Sequence, residues 1–144
     1  MPKSTPTCNA IVNLMYSATA WADIAENDTS SPLANTYVAL HTGNLTAATN
    51  SQAENESAYT DYARQAVLRS SGWDAASGGA TANAATISFP QCGVTGSTVS
   101  HVSTGVAVSG ATAVWHYGAL NSPLAVSAGI TPQFAAGALT VTES

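Results

Sequence analysis

From residue 36 onward the chain consists of short segments separated by turn residues, and this pattern restricts the fold more than any other feature. Residues 36–42 (TYVALHT) alternate in character with a period of two, as a strand with one buried face does. Further candidate strands lie at residues 63–70, 85–90, 98–108, 112–120, 124–127 and 138–142. Seven or eight short strands without helical patterns between them predict a mainly β protein, an antiparallel β-sandwich or jelly roll. Ser109-Gly110 is the strongest hairpin signal.

The N-terminal region carries a helical pattern. Apolar residues recur there at spacings of three and four, which predicts an α-helix over about residues 6–26. The stripe consists of Ile11, Leu14, Met15, Ala18, Trp21, Ala22 and Ala25. It packs either on the sheet of its own domain or on a neighbouring subunit; in the second case Ile11, Leu14, Met15 and Trp21 form the interface. We therefore expect an N-terminal helical arm, residues 1–32, and a single β-sandwich domain, residues 33–144.

Charged side chains are scarce, with three Lys or Arg and eight Asp or Glu in 144 residues and a net charge of −5. Because interface cores are depleted in charge, this composition favours a subunit that lies against other proteins. The alternative is a secreted domain kept soluble by hydroxyl and amide groups. So few cations argue against nucleic-acid binding. We expect no membrane partner and no secretion signal, because no charged N-terminal region precedes a long apolar run.

Residues that could support catalysis or metal binding do not have the spacing of a known catalytic or metal-binding motif. His41, His101 and His116 do not have the spacing of a preset metal site, and the chain lacks a GxSxG elbow, a P-loop and a dinucleotide fingerprint. Cys8 and Cys92 fit neither a CxxC motif nor a disulfide-rich scaffold, so we expect free thiols. The residues therefore indicate no metal or cofactor site. They leave open a glycosidase site built on two carboxylates, although nothing singles out a pair.

Arg64 is the most informative single residue. It follows residues 43–60, a polar stretch without periodicity that predicts a long mobile loop. An arginine here can organise that loop by bidentate pairing with Glu54, Glu56 or Asp61, or by holding backbone carbonyls. The alternative is a solvated residue at a strand end.

Several short motifs then occur in a characteristic order. They are YVALHT at 37–42, YARQAV at 62–67, ANAATISFP at 82–90, VSHV at 99–102, YGAL at 117–120 and PQFAAGALTV at 132–141. In this order they resemble a family of small structural proteins encoded by tailed bacteriophages, and the resemblance covers most of the chain.

This resemblance implies a non-enzymatic virion protein that is made in the cytoplasm of the bacterial host. We expect a capsid cement (decoration) protein on the outer surface of the capsid, which binds the major capsid protein and self-associates as a dimer or trimer. The alternative is a tail or tail-fibre component involved in host or glycan binding, which calls for exposed aromatic rings such as Trp73 or Trp115. A wall-degrading enzyme would instead need a cleft with paired carboxylates.

The scarcity of charge makes a prediction about attachment to the virion. Contacts made of apolar surface and neutral hydrogen bonds are nearly insensitive to a Debye length that shrinks from about 10 Å at 0.1 M salt to about 3 Å at 1 M. We therefore expect the protein to sediment with virions washed in 1 M NaCl and to be released by urea. Release of the protein by salt from intact particles would contradict the prediction.

Overall fold

The structure, a computed structural model, describes residues 5–20, 33–45, 51–112 and 114–143. Within them it contains one helix and eight strands. Their bounds are α1 Thr5–Tyr16, β1 Asn35–His41, β2 Gln65–Leu68, β3 Ala80–Ala82, β4 Ile87–Ser88, β5 Ser97–Gly105, β6 Val114–Val126, β7 Gln133–Phe134 and β8 Thr140–Thr142. The prediction of a mainly β protein with an N-terminal helix is confirmed, and the topology is compatible with a jelly roll.

The strands form three sheets. One has four strands in the order β2-β1-β5-β6, and the other two are the pairs β3-β8 and β4-β7. The β1-β5, β5-β6 and β3-β8 pairs are all antiparallel. The sequence did not predict β3 and β7, because segments of two or three residues are too short to show a period.

The described residues belong to two compact units. The first contains the residues before Thr36, residues 67–87 and those from Phe134 onward; the second contains residues 36–66 and 88–133. The division into an arm, residues 1–32, and a domain, residues 33–144, stays a prediction, since residues 21–32 lie outside the described part.

In the first unit, helix α1 ends earlier than its apolar periodicity predicts. It stops at Tyr16 instead of continuing to residue 26. Ala18 adopts a left-handed conformation with φ 52°, which a continuing helix cannot accommodate. The carbonyl of Asn13 accepts hydrogen bonds from the amides of Ser17 and Thr19. Ala18 thus continues the apolar pattern without continuing the helix, and Trp21, Ala22 and Ala25 lie outside the described residues.

Arg69 caps the C-terminal end of α1. Its buried guanidinium donates to the carbonyls of Leu14 and Met15, which have no partner within the helix, and to the carbonyl of Leu33 at 2.8 Å. Burial lowers the pKa of Arg69 from its usual value. Arg69 therefore fastens the end of α1 to the chain just before β1.

The buried face of α1 packs within the first unit. Val12 and Tyr16 are fully buried, and the Tyr16 ring meets Trp73 edge-on at a centroid distance of 4.5 Å. Ile11, Leu14 and Met15 are half-buried. Val12 and Tyr16 are not members of the predicted stripe, so their packing does not decide between its two alternatives. The interface role of Ile11, Leu14 and Met15 stays a prediction.

Asn83 is the polar centre of the first unit. Its side-chain amide donates to the carbonyls of Ala85 and Ala135, each at 2.8 Å, and its carbonyl oxygen accepts from the amide of Leu139 at 2.8 Å. The residue is fully buried. One side chain thus joins the end of β3 to the chain leading into β8.

We predict that Asn83→Ala lowers the free energy of unfolding by at least about 2 kcal/mol, because it leaves buried backbone groups without partners. Asn121→Ala, at an exposed position of β6, is the matched control and should change stability by less than about 0.5 kcal/mol. Urea denaturation of both variants measures the difference. Equal midpoints would contradict the role given to Asn83.

In the second unit, β1 is buried on both faces rather than on one. Val38 and Leu40 contribute to the apolar core, while Ala39 and His41, which alternate with them, are buried as well. Residues 51–57 run along the edge of β1, where the amides of Thr42 and Ser57 donate to the carbonyls of Asn55 and Leu40, both at 2.8 Å. The carbonyl of Glu54 covers the second face, 2.8 Å from Nδ1 of His41. The alternation at residues 36–42 predicts the strand correctly, but it cannot show that another segment covers the face formed by Ala39 and His41.

Strands β5 and β6 form the predicted hairpin, with Gly110 at φ 85° in the turn. The 13-residue β6 combines the predicted strands at 112–120 and 124–127. A bulge separates the two halves of β6. Val99 pairs with Leu124, and His101 pairs with Ala119. Four residues of β6, Leu120–Pro123, therefore lie opposite Ser100 alone.

Candidate functional site

The candidate site is centred on Arg64, which lies just before β2 in the second unit. The Arg64 side chain is 1% exposed and forms a bidentate ion pair with Glu56, with Nε–Oε1 and Nη2–Oε2 distances of 2.7 Å. Such a pair of charge-assisted bonds is the strongest arrangement available to an arginine and a carboxylate. Of the three acids considered, Glu56 supplies the carboxylate; Glu54 contributes a backbone carbonyl to His41, and Asp61 lies in a turn at φ 74°.

The other edge of the guanidinium holds the turn between β5 and β6. It donates to the carbonyls of Ala107 at 3.0 Å and Gly110 at 2.8 Å, and to the Thr112 hydroxyl at 3.2 Å. We call residues 106–112 the hairpin tip. A lysine could not reproduce these contacts, because only the planar guanidinium presents donors on both edges.

Gln52 extends the network on the other side of Arg64. Its side-chain carbonyl accepts from Arg64 at 3.2 Å, and its amide donates to the Tyr37 carbonyl at 2.9 Å and to Ser103 Oγ at 3.2 Å. Its backbone amide donates to the carbonyl of Thr112 at 2.9 Å. Residues 51–57, which we call the bridging segment, therefore connect β1 to the hairpin tip. The described part of the predicted mobile loop is packed structure.

Tyr62 completes the surroundings of Glu56. Its hydroxyl donates to Glu56 Oε1 at 3.0 Å and accepts from the amide of Leu40 at 3.0 Å. Burial raises the pKa of Tyr62, so the phenol stays protonated and remains a donor. The ring stacks on Phe89 at a centroid distance of 6.3 Å and meets Tyr59 edge-on at 5.3 Å. Burial likewise raises the pKa of Tyr59 to about 12.

Two of the three candidate histidines are cross-strand neighbours, because His41 of β1 pairs with His101 of β5, whereas His116 lies opposite Thr104. His41 is fully buried, and His101 places Nδ1 2.9 Å from the hydroxyl of Ser100. Cys8 and Cys92 are free and buried. Within the described ranges, no three His, Cys, Asp or Glu residues form a group that could hold a metal ion.

The solvent-facing side of the site is small and neutral. Val108, on the hairpin tip, is 61% exposed, and residues 109–111 are exposed around it. Both arginines in the described ranges are buried, and residues 106–112 contain no Asp or Glu. Of the aromatic residues considered for sugar stacking, Trp73 is buried and Trp115 is half-buried.

This arrangement fixes a loop in place. The guanidinium makes six hydrogen bonds with five N–H groups, so all its donors are used internally. Sequence reasoning identifies Arg64, and Glu56 as one of three possible acidic partners, because an isolated cation follows an acidic stretch. It misses Gln52, Tyr62 and Ser103, since neutral polar residues in a Ser- and Thr-rich chain give no signal of burial.

The family comparison covers nearly the whole chain. A model of the family described as podophage GP4 fiber I protein gp80 matches residues 4–142. The protein is therefore a virion protein of the tailed-phage class. It belongs to the podophage GP4 fiber I protein gp80 family. No curated protein matches the chain. No helix in the described ranges is long and apolar enough to cross a membrane.

We predict that Arg64→Met lowers the free energy of unfolding by about 3–5 kcal/mol, because it leaves the Glu56 carboxylate without its partner. Glu56→Gln should cost a similar amount by leaving the buried guanidinium uncompensated. The double variant should cost less than the sum of the two, with a coupling of at least about 1 kcal/mol. Urea denaturation of the four proteins measures this coupling, and additive effects would contradict a mutual ion pair.

Proposed function

We propose that this protein is a non-enzymatic structural component of the phage tail fibre rather than a capsid cement protein. The observation that carries the proposal is the match of residues 4–142 to a family described as a fibre protein. The Arg64 site supports it, because its charged groups are committed to internal contacts that hold a loop. Association with the major capsid protein is not part of this proposal, and self-association as a dimer or trimer stays a prediction.

We further propose that the hairpin tip is the surface with which this component contacts the host. The backbone of the tip is held by hydrogen bonds from Arg64, which also binds Gln52, and the tip exposes Val108 to solvent. A loop that is already ordered loses little conformational entropy when it binds, which favours affinity. With both described arginines buried, a neutral surface such as an uncharged glycan fits the tip better than an anionic one.

The location can be tested on purified virions by immunogold labelling together with a copy-number measurement. We expect the label at the tail and a copy number that corresponds to fibres. Labelling over the whole head, with hundreds of copies per particle, would overturn the assignment to the fibre and restore the capsid cement interpretation.

The contact surface is tested by Val108→Asp. The substitution places a charge on the tip without entering the core, so the variant should still enter virions but adsorb to host cells at least about tenfold more slowly. Val94→Asp is the matched control, because Val94 is 82% exposed and lies before β5, away from the tip. Equal adsorption of both variants would contradict a role of the tip in host contact.

A further inference from the structure

His41 is a buried titratable residue whose contacts join the bridging segment to the sheet. It lies at the end of β1 and is fully buried. Its Nδ1 is 2.8 Å from the carbonyl oxygen of Glu54, and its Nε2 is 2.8 Å from Ser103 Oγ. One ring therefore connects the bridging segment, through Glu54, to β5, through Ser103.

The hydrogen bonds around the ring fix its neutral form. A carbonyl only accepts, so Nδ1 carries the proton and Nε2 accepts from the hydroxyl of Ser103. The Ser103 oxygen in turn accepts from the amide of Gln52 at 3.2 Å. In this pattern every donor of the three side chains points at an acceptor.

A second proton on the ring disrupts this pattern. Protonated Nε2 becomes a donor directed at Ser103 Oγ, so the serine hydroxyl loses the acceptor that it had. The ring also gains a positive charge inside the protein, close to the guanidinium of Arg64.

The charged and titratable groups around His41 come from all the elements packed against it. They are Glu54 and Glu56 of the bridging segment, Tyr62 and Arg64 before β2, and His101 of β5. Glu56 would favour a charged ring, but its two oxygens already bind Arg64. Desolvation is the largest influence and lowers the pKa of His41 below its usual 6.5; Arg64 and His101 act in the same direction, while the Glu54 carbonyl and Glu56 oppose it.

We propose that His41 is an acid-sensitive latch: its neutral ring fastens the bridging segment to β5, and protonation releases this segment together with the hairpin tip. The release reaches the tip because Gln52 holds both the Thr112 carbonyl and the guanidinium of Arg64. The latch is a property of the folded chain. Its use in controlling host contact rests on the proposed function, but its test does not.

The direction of the pH effect follows from proton linkage. The closed form has a depressed pKa, so the open form binds more protons whenever the pH is below 6.5. The stabilising effect of the latch is complete above pH 6.5 and declines as the pH falls from 6.5 toward the pKa of the closed form. One proton can change the opening constant by at most tenfold per pH unit.

Hydrogen–deuterium exchange of the full chain at pH 7.5 and pH 5.0, corrected for intrinsic exchange rates, tests the latch. We expect the opening constant of residues 51–57 and 106–112 to rise at pH 5.0 by up to about thirty-fold, the limit for one proton over 1.5 pH units. In His41→Asn the same segments should show no pH dependence. His116→Asn, at a half-buried position of β6 opposite Thr104, is the matched control and should retain the response of the original protein.

The latch is overturned if the two segments exchange equally at both pH values, or if their pH dependence persists in His41→Asn. Should His41→Asn fail to fold, ¹⁵N NMR of the imidazole in the unaltered protein decides. Protonation of His41 over the same pH range as the opening supports the latch. Opening while His41 stays neutral overturns it.

Discussion

The fold of the second unit depends on supplying hydrogen-bond acceptors to one buried guanidinium, that of Arg64. A buried cation without partners is far less stable than a hydrated one, so Arg64 can be buried only if the chain places acceptors on both of its edges. Glu56 provides the charge on one side, and the carbonyls of Ala107 and Gly110 provide acceptors on the other. Segments that are distant in sequence must therefore meet at this residue, and the conformation of the hairpin tip follows from that requirement.

The sequence predicts the elements whose signals are local. The alternation at residues 36–42 identifies β1, Ser109-Gly110 identifies the β5-β6 turn, and an isolated cation after an acidic stretch identifies Arg64 and its class of partner. The features that the sequence does not predict are those that depend on tertiary contacts. The end of α1 is set by the left-handed conformation of Ala18, and the burial of both faces of β1 depends on the bridging segment. Neither the end of the helix nor the burial of the second face changes the periodicity of apolar residues in the sequence.

The choice between capsid and tail shows a different limit. Scarce charge favours a surface in contact with other molecules, but that argument applies equally to a shell protein and to a fibre protein. The structure adds that both described arginines are buried, which makes the surface still less basic than the composition indicates. Only the family match separates the two locations. The scarcity of charge therefore indicates which kinds of contact the protein makes, but it does not indicate whether those contacts are on the capsid or on the tail.

The bulge in β6 has a consequence for solubility. β6 is the terminal strand of the four-stranded sheet, and proteins usually protect such strands from pairing between molecules with lysine side chains. This chain has a single lysine, Lys3, far from β6 in sequence. Instead, residues 120–123 bend the strand out of register, and Pro123 removes a backbone donor. Irregular backbone geometry thus interrupts the row of backbone groups with which a second molecule could pair, which is the effect that charged side chains have on other terminal strands.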